Sequence, residues 1–306
     1  MVAAAHTGVR IRTRIRPSAE EAEALTAIGV TLGGLYRGEL AERIRLGRLD
    51  RKNHALWRAE RKQAVTALSS SRWAGAITRS VEDQYQLGMR GLAAQVADLC
   101  AAVEVLEQRC VLRPGELAPV EGTETHGRSR RRRRGYRSAA ERFVKTRRLA
   151  MLRERLAAAE RALAAGRPSI TVGGKRLWRN RSHLDATDMT EPQWHEKWDA
   201  ARLFLTADGE SGLIGGNLTI RVDEAGRLRV KVPSALVDDF GSHVEITAPV
   251  RFTHRAEEWL ARVAARGPPC VTTSATTPSG VVGIWMRPVI RGMRLAVIYV
   301  YDEACR

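Results

Sequence analysis

Apolar residues recur at helical spacing from Ser18 to Leu112. The repeats predict three helices joined by short segments, an arrangement typical of an antiparallel bundle. Ser18 and Glu21 have the spacing of a capping box at the start of the first helix. The third helix is predicted over Val81–Leu112, directly before a Pro-Gly pair that ends it. We interpret the apolar stripes of these helices as core.

The chain opens on a different pattern. Residues Val9–Arg16 alternate between β-branched residues and arginines. A period of two places the two kinds of residue on opposite faces of a strand. The basic face carries Arg10, Arg12, Arg14 and Arg16. We interpret these arginines as candidates for phosphate contact, and an edge strand kept soluble by its charge is the alternative.

Beyond Pro168 the pattern changes to short strands separated by turns, with two helices among them. One helix starts at Thr190 and reaches Phe204, and the other covers Thr253–Ala265. The predicted strands are Ser169–Val172, Leu218–Val222, Leu228–Val232, His243–Val250, Val281–Met286 and Leu295–Tyr301. Short strands closed by glycine-containing turns predict a small barrel.

The first strand has no neighbouring strand in sequence, so we expect it to join that barrel, with the helices as an insertion. The predicted fold class is therefore α+β, a β-barrel interrupted by a helical bundle. The expected domains are residues 1–17 as the first barrel strand, 18–166 as the helical domain with a basic loop at 113–136, and 167–306 as the barrel.

Charge narrows the choice of partners. The 306 residues include 51 lysines and arginines against 34 acidic residues, a formal net charge of +17. An excess of this size favours a polyanionic partner, and nucleic acid is the leading candidate. A membrane-surface role is disfavoured because aromatic residues make up only 5% of the chain. With no apolar run long enough to span a bilayer and no signal-peptide pattern, we expect a cytoplasmic location.

A polar loop from Arg113 to Tyr136 ends in an arginine run and leads into a helix over Ser138–Ala165. The first half of that helix is itself basic. Continuous positive charge from a loop onto a helix suits a surface that follows phosphates, and a non-specific basic tether is the alternative. The candidate residues are Arg130, Arg131, Arg132, Arg133, Arg134, Lys145, Arg147 and Arg148.

No pattern in the chain predicts catalysis, a metal or a cofactor. The cysteines Cys100, Cys110, Cys270 and Cys305 are scattered, and the histidines do not pair at metal-ligand spacing. The motifs of phosphate-binding loops, zinc proteases and serine hydrolases are missing. The glycine pair before Asn217 is interpreted as a turn.

The stretch Ser169–Pro233 resembles the central part of the TnpB (OrfB) family of insertion-sequence proteins, RNA-guided DNA nucleases related to the type V CRISPR effectors. The matching residues are Ser169, Ile170, Gly174, Lys175, Arg176, Leu177, Trp178, Trp194, Trp198, Arg202, Phe204, Gly216, Asn217, the Leu228–Pro233 strand, Arg251, Phe252 and Trp259. The resemblance implies an oligonucleotide-binding-like barrel, the wedge domain, interrupted by a helical recognition domain.

In this family the wedge and recognition domains hold the guide RNA and its duplex with target DNA through backbone shape and charge. The resemblance assigns RNA backbone contact to Lys175, Arg176, Arg179, Arg181, Arg227, Arg229 and Lys231. It makes Trp178 a candidate for stacking on a base. Trp194 and Trp198 are four apart on one helix face, a spacing that favours packing against the barrel.

The family's nuclease half is not matched. RuvC-type cleavage needs several carboxylates converging on two metal ions, and Asp302 alone does not supply them. We therefore expect a truncated, transposase-type TnpB-like protein that binds guide-type RNA and target DNA without cutting. A separately encoded transposase is a second candidate partner. The alternatives are a nuclease-free repressor, a plain basic RNA-binding module, or a nuclease completed by a separate RuvC chain.

Overall fold

A computed structural model describes residues 9–118, 133–207, 218–223, 225–251, 257, 281–289 and 292–300, with the backbone alone for residues 9–14 and 281–300. The chain divides into two compact units. Unit 1 comprises Met1–Arg43, Leu49–Asp83 and Thr171–Arg306, and unit 2 comprises Ile44–Arg48 and Gln84–Ile170. The residues predicted as one helical domain, 18–166, therefore contribute to both units.

Four long helices occupy the first half of the described chain. They are α1 (Ala19–Leu46), α2 (Arg51–Leu68), α3 (Ser71–Val111) and α4 (Ala139–Ala165). Local caps start them: Ser18 Oγ accepts from the Glu21 N–H, and the Ser18 N–H donates to the Glu21 carboxylate. Ser138 caps α4 in the predicted place, and Gly166 ends it in a left-handed conformation. Three short helices follow: α5 (Lys175–Asn180), α6 (Glu191–Ala200) and α7 (Val237–Phe240).

The strands form two antiparallel sheets within unit 1. The first has the order β1-β7-β6-β2, from Val9–Arg14, Gly292–Val300, Val281–Val289 and Thr206–Ala207. In it β1 pairs with β7 in the register Val9↔Tyr299 to Arg14↔Arg294. The second sheet has the order β3-β4-β5, from Ile220–Val222, Leu228–Lys231 and His243–Ile246.

The core of unit 1 combines helices with the second sheet. Leu25, Ile28 and Leu32 of α1 are fully buried, and so is Trp73 of α3. The buried strand residues are Ile220, Leu228, Val230, Val244 and Ile246. They alternate with exposed residues along β4 and β5, so one face of this sheet is buried and the other faces solvent.

Charged residues are also paired inside unit 1. The Nε atom of Arg43 on α1, only 3% exposed, donates to Glu82 Oε2 on α3 at 2.8 Å. Arg61 on α2 binds both carboxylate oxygens of Glu39 on α1, at 2.7 and 2.6 Å. The Arg43 guanidinium also lies 5.5 Å from the ring centroid of Trp57. These pairs connect α1 to α2 and α3 without leaving a buried charge uncompensated.

Unit 2 is built around the packing of α4 on the second half of α3. Leu99 and Val103 of α3 form a buried cluster with Leu149, Leu152 and Ala159 of α4. The spacing of Leu99 and Val103 is the helical spacing that predicted the apolar stripe of α3. The predicted helix over 138–165 is thereby confirmed.

The predicted strand at Ser169–Val172 is wrong. The segment has no strand pairing, and it ends in a turn closed by the Gly174 N–H and the Thr171 carbonyl at 3.2 Å. Gly173 and Gly174 both have φ of 98°, a conformation that turns the backbone away from an extended course. α5 begins immediately afterwards, so Lys175 is the first residue of a helix.

Two predicted helix bounds also move. α3 begins at Ser71, earlier than the predicted Val81, because the Trp73 N–H is capped by Ser70 Oγ at 3.3 Å. α6 ends at Ala200 and does not reach Phe204. The Phe204 N–H instead donates to the Gly29 carbonyl of α1 at 3.0 Å, which takes this residue out of the helix.

The α+β class is confirmed at the level of helices with small antiparallel sheets. The strand β1 joins β6 and β7 in one sheet, as its missing sequence neighbour suggested. Closure of the two sheets into a wedge-type barrel remains a proposal. The predicted turn before Asn217, the predicted helix over 253–265 apart from Glu257, and Asp302 lie outside the described residues.

Trp73 provides a test of this core. Its ring is fully buried and its Nε1 donates to the Lys231 carbonyl at the end of β4, at 3.1 Å. Trp73→Ala is expected to reduce the free energy of unfolding by about 3–5 kcal/mol, since it removes a large buried side chain and a hydrogen bond. Urea unfolding measures this. The matched control is Trp178→Ala, at a ring 41% exposed, with an expected loss of about 1 kcal/mol or less. Equal losses would contradict the assigned core.

Candidate nucleic-acid interface

Five side chains of the predicted interface lie on α5 or directly after it. Lys175, Arg176, Trp178 and Arg179 belong to the helix, and Arg181 follows it. All four cations are exposed. Among the residues that the structure describes, none of the four pairs with a carboxylate. Their charge is therefore available to an external anion.

Three tryptophans fix α5 against α6. Trp194 of α6 is 8% exposed and donates from Nε1 to the Leu177 carbonyl of α5 at 2.8 Å. Its ring stacks on Trp198, with centroids 5.5 Å apart and planes 13° apart. Trp198 in turn lies 5.4 Å from Trp178. The sequence predicts packing of Trp194 and Trp198 against the barrel. In the structure the two rings contact each other and α5, and the α6 backbone also lies beside β6 of the first sheet.

Local sequence explains why the two helices meet in this way. Thr190 and Gln193 form the predicted capping box that starts α6. The turn before α5 brings Gly173 against the Trp198 ring, where an added Cβ would lie 2.8 Å from a ring carbon. Only glycine permits both this approach and the positive φ. The glycine pair is thus part of the interface scaffold.

Trp178 combines an exposed ring with a bound cation. Its side chain is 41% exposed, and the Arg181 guanidinium carbon lies 3.3 Å from its ring centroid. A nucleic-acid base can stack on an aromatic ring or on a guanidinium plane. The pair therefore offers a flat surface and a positive charge at one place. The stacking role of Trp178 stays a prediction.

Two arginines beside this cluster carry further positive charge. Arg37 of α1 donates from Nη1 to the Arg202 carbonyl at 3.0 Å, and the Arg202 guanidinium lies 5.1 Å from the Trp198 ring centroid. Burial and then the nearby Arg202 charge lower the pKa of Arg37, which Asp199 partly offsets. Sequence reasoning missed Arg37, and the only available signal was Gly33, whose missing Cβ lets the Arg202 carbonyl approach α1.

The exposed face of the second sheet holds another group of predicted residues. Arg229 lies directly opposite Arg221 on β3 and Glu245 on β5. Its Nε is 3.4 Å from a Glu245 oxygen, and its Nη2 donates to His243 Nδ1 at 3.2 Å. Lys231 pairs in register with His243 and is partly buried. Arg229 is thus partly neutralised within the protein.

Arg227 is the most fully engaged of the predicted cations. Its backbone N–H and its Nε both donate to the carboxylate of Asp223, at 2.8 and 2.7 Å. The backbone N–H and then the side chain of Arg227 hold the pKa of Asp223 below its ordinary value. This ion pair closes the β3–β4 turn, so a structural role competes with the predicted RNA contact.

The remaining predicted cations of the described chain lie in unit 2 or at its loop. Arg147 and Arg148 of α4 are exposed and Lys145 is half-buried; none of them has an ion pair within the described residues. Arg133 and Arg134 are exposed, and the Arg133 carbonyl accepts from the Ala118 N–H at 2.8 Å.

Other predicted cations are described only in part. Arg10, Arg12 and Arg14 lie on β1, of which the backbone alone is described, and Arg16 is exposed. Arg130, Arg131 and Arg132 lie outside the described residues.

Comparisons with known proteins found no matching family model, curated protein or solved structure. Within the described residues, no group of three histidine, cysteine or acidic side chains has the arrangement of a metal site. A search of the described helices for a segment with the length and hydropathy of a membrane span was negative.

The pKa of His243 depends on the positive charge around it on the second sheet. Burial, then Arg229 and Lys231, lowers its pKa below the ordinary 6.5, while Glu245 opposes the shift. In the folded protein the neutral ring is favoured, so below pH 6.5 the unfolded state binds more protons. We compare the free energy of unfolding of wild type with that of His243→Gln. The difference, wild type minus variant, is expected to be constant above about pH 7.5 and to fall as the pH drops towards 5.5. Urea unfolding at several pH values measures this. A difference that grows on acidification would contradict the assigned environment.

Proposed function

We propose that this chain is a TnpB-like, transposon-encoded protein that binds nucleic acid, with a guide-type RNA and its DNA target as ligands. One observation carries the proposal: α5 and its flank hold four exposed cations with no acidic partner in the described chain, around the half-exposed ring of Trp178. Proteins bind single-stranded nucleic acid with cations that contact the phosphates and with aromatic rings on which the bases stack.

The charge distribution supports this proposal. A net charge of +17 is repulsive in the free protein and is relieved by a polyanion. Cations already paired with carboxylates, such as Arg227, contribute less to binding because a phosphate must compete with the internal partner. A phosphate that binds the unpaired cations of α5 has no internal carboxylate to displace. We therefore assign the main phosphate contacts of unit 1 to α5.

The guide RNA and the transposon origin rest on the resemblance of Ser169–Pro233 to the TnpB family. In such a system base pairing reads the sequence, and the protein reads the backbone. Unpaired cations on a rigid surface suit that division, since phosphate contacts position a ligand without specifying its bases. The proposal concerns binding and assigns no catalytic residue.

Removing two free cations tests the assignment. Arg176→Ala with Arg179→Ala is expected to weaken binding of a short single-stranded RNA by about tenfold at low salt. The slope of log K against log salt should fall by about one unit for each phosphate that the variant no longer neutralises. Fluorescence anisotropy of a labelled RNA, measured at several salt concentrations, gives both quantities.

The matched control removes two exposed arginines that are ion-paired. Arg153 pairs with Glu107, and Arg227 pairs with Asp223. Arg153→Ala with Arg227→Ala changes the net charge by the same amount and is expected to change affinity by less than about threefold. Equal losses in the two double variants would reduce the effect to net charge and would refute the assignment to α5. No RNA binding by wild type would refute the function itself.

The guide role has a separate test. RNA that copurifies with the protein from a host carrying the surrounding DNA is expected to be enriched in one discrete species from the element's end. Sequencing of the bound RNA measures this, with total cellular RNA as the reference. An unenriched sample of cellular RNA would leave a plain basic RNA-binding module as the function.

A further inference from the structure

An open groove lies between α3 and α4 in unit 2, and we name it the α3–α4 groove. Its volume is about 490 Å³, within the usual range for small-ligand sites. The lining has an apolar part that includes Ala101, Leu106 and Leu152. It also has a cationic part, formed by Arg109, Lys145 and Arg148.

Arg109 is held in place from two directions. Its Nε donates to the Arg134 carbonyl at 3.0 Å, and its guanidinium carbon lies 4.2 Å from the ring centroid of Tyr136. Tyr136 is only 2% exposed. Burial raises the pKa of its phenol, with Arg109 acting in the opposite direction, so the ring stays neutral beneath the cation. The groove therefore contains a fixed, flat and charged surface.

The groove favours an anion. Three cations line it against one acid, Glu141. That carboxylate is engaged at the start of α4, where its Oε2 accepts from the Arg137 N–H at 3.0 Å. Lys145 and Arg148 have no carboxylate partner in the described part of the chain. An anionic ligand therefore meets a net positive lining, three cations against the single carboxylate of Glu141.

The backbone also connects the groove to the strongest positive run of the sequence. The run of five arginines ends at Arg134, whose carbonyl is the acceptor for Arg109. Arg134 forms an antiparallel bridge with Leu117, and Tyr136 follows two residues later in the groove lining. The two arginines of this run that the structure describes, Arg133 and Arg134, are exposed next to this lining.

We propose that the α3–α4 groove takes one unpaired nucleotide of the bound RNA, with its base on the Arg109 guanidinium and the apolar lining and its phosphate at Lys145 and Arg148. The inference rests on the proposed function and adds a second contact site in unit 2. A base fits because its flat π face can contact apolar side chains, and a guanidinium plane is a stacking partner for unpaired bases. A paired base within a duplex is not free to enter.

Filling the groove tests this without removing charge or core. Ala101 is an exposed residue of α3 that lines the groove, and Ala101→Trp occupies the space of the base. The full-length variant is expected to bind a short single-stranded RNA about tenfold more weakly, the effect of removing one stacked base. Its affinity for a blunt duplex of the same RNA should stay within about twofold of wild type. Fluorescence anisotropy measures both.

The control is Ala94→Trp, at an exposed position two turns earlier on the same helix and outside the groove lining. It is expected to leave both affinities unchanged, and thermal unfolding verifies that both variants fold. Unchanged single-strand binding by Ala101→Trp, or equal weakening for strand and duplex, would overturn the groove while the proposed function stands. Failure of wild type to bind either RNA would overturn the proposed function as well.

Discussion

The ion pair between Arg43 and Glu82 shows the constraint under which this chain folds. A protein with a net charge of +17 has too few carboxylates to neutralise every cation, and burying an unpaired guanidinium costs several kcal/mol (about 3–5 when one partner of a pair is removed). Two buried or partly buried acidic residues of unit 1 therefore form ion pairs with arginines: Glu82 binds Arg43, and Glu39 binds Arg61. The helices α1, α2 and α3 meet where these pairs form.

The same shortage of carboxylates determines which surface cations are ion-paired and which are not. Where a turn or sheet needs a fixed charge, a carboxylate is supplied, as Asp223 is for Arg227. On α5 no such partner exists in the described chain, although the neighbouring α6 carries several acids. The cations on the first turns of α4 also have no such partner in the described chain. Cations without an acidic partner in the described chain lie beside an aromatic ring in each unit, at Trp178 in unit 1 and at Tyr136 in unit 2. In unit 1 the Trp178 ring is itself exposed, whereas in unit 2 Tyr136 is buried beneath the Arg109 guanidinium, which lines the groove.

Local chemistry made much of this structure predictable. The caps at Ser18, Ser138 and Thr190 were readable because each depends on residues three apart. The strand at Val9 could be assigned to a distant sheet because it had no neighbour in sequence. The α5 helix was not predictable, since it depends on two glycines with positive φ and on a tryptophan contact. The contact of Arg37 with Arg202 joins residues far apart in sequence, with Gly33 as its one local signal. The contact of Arg109 with Tyr136 left no local signal, so the groove could not be foreseen.

The bond from Trp194 to the Leu177 carbonyl has a consequence for the entropy of binding. A helix of six residues does not persist in water by itself, because nucleation is unfavourable and few bonds follow it. α5 is ordered by the tryptophans of α6, so the free energy of ordering the backbone that carries its basic side chains is spent during folding and not on meeting the ligand. Trp194 touches no phosphate, yet it decides whether Lys175 and Arg176 act as a rigid template or as a flexible basic tail.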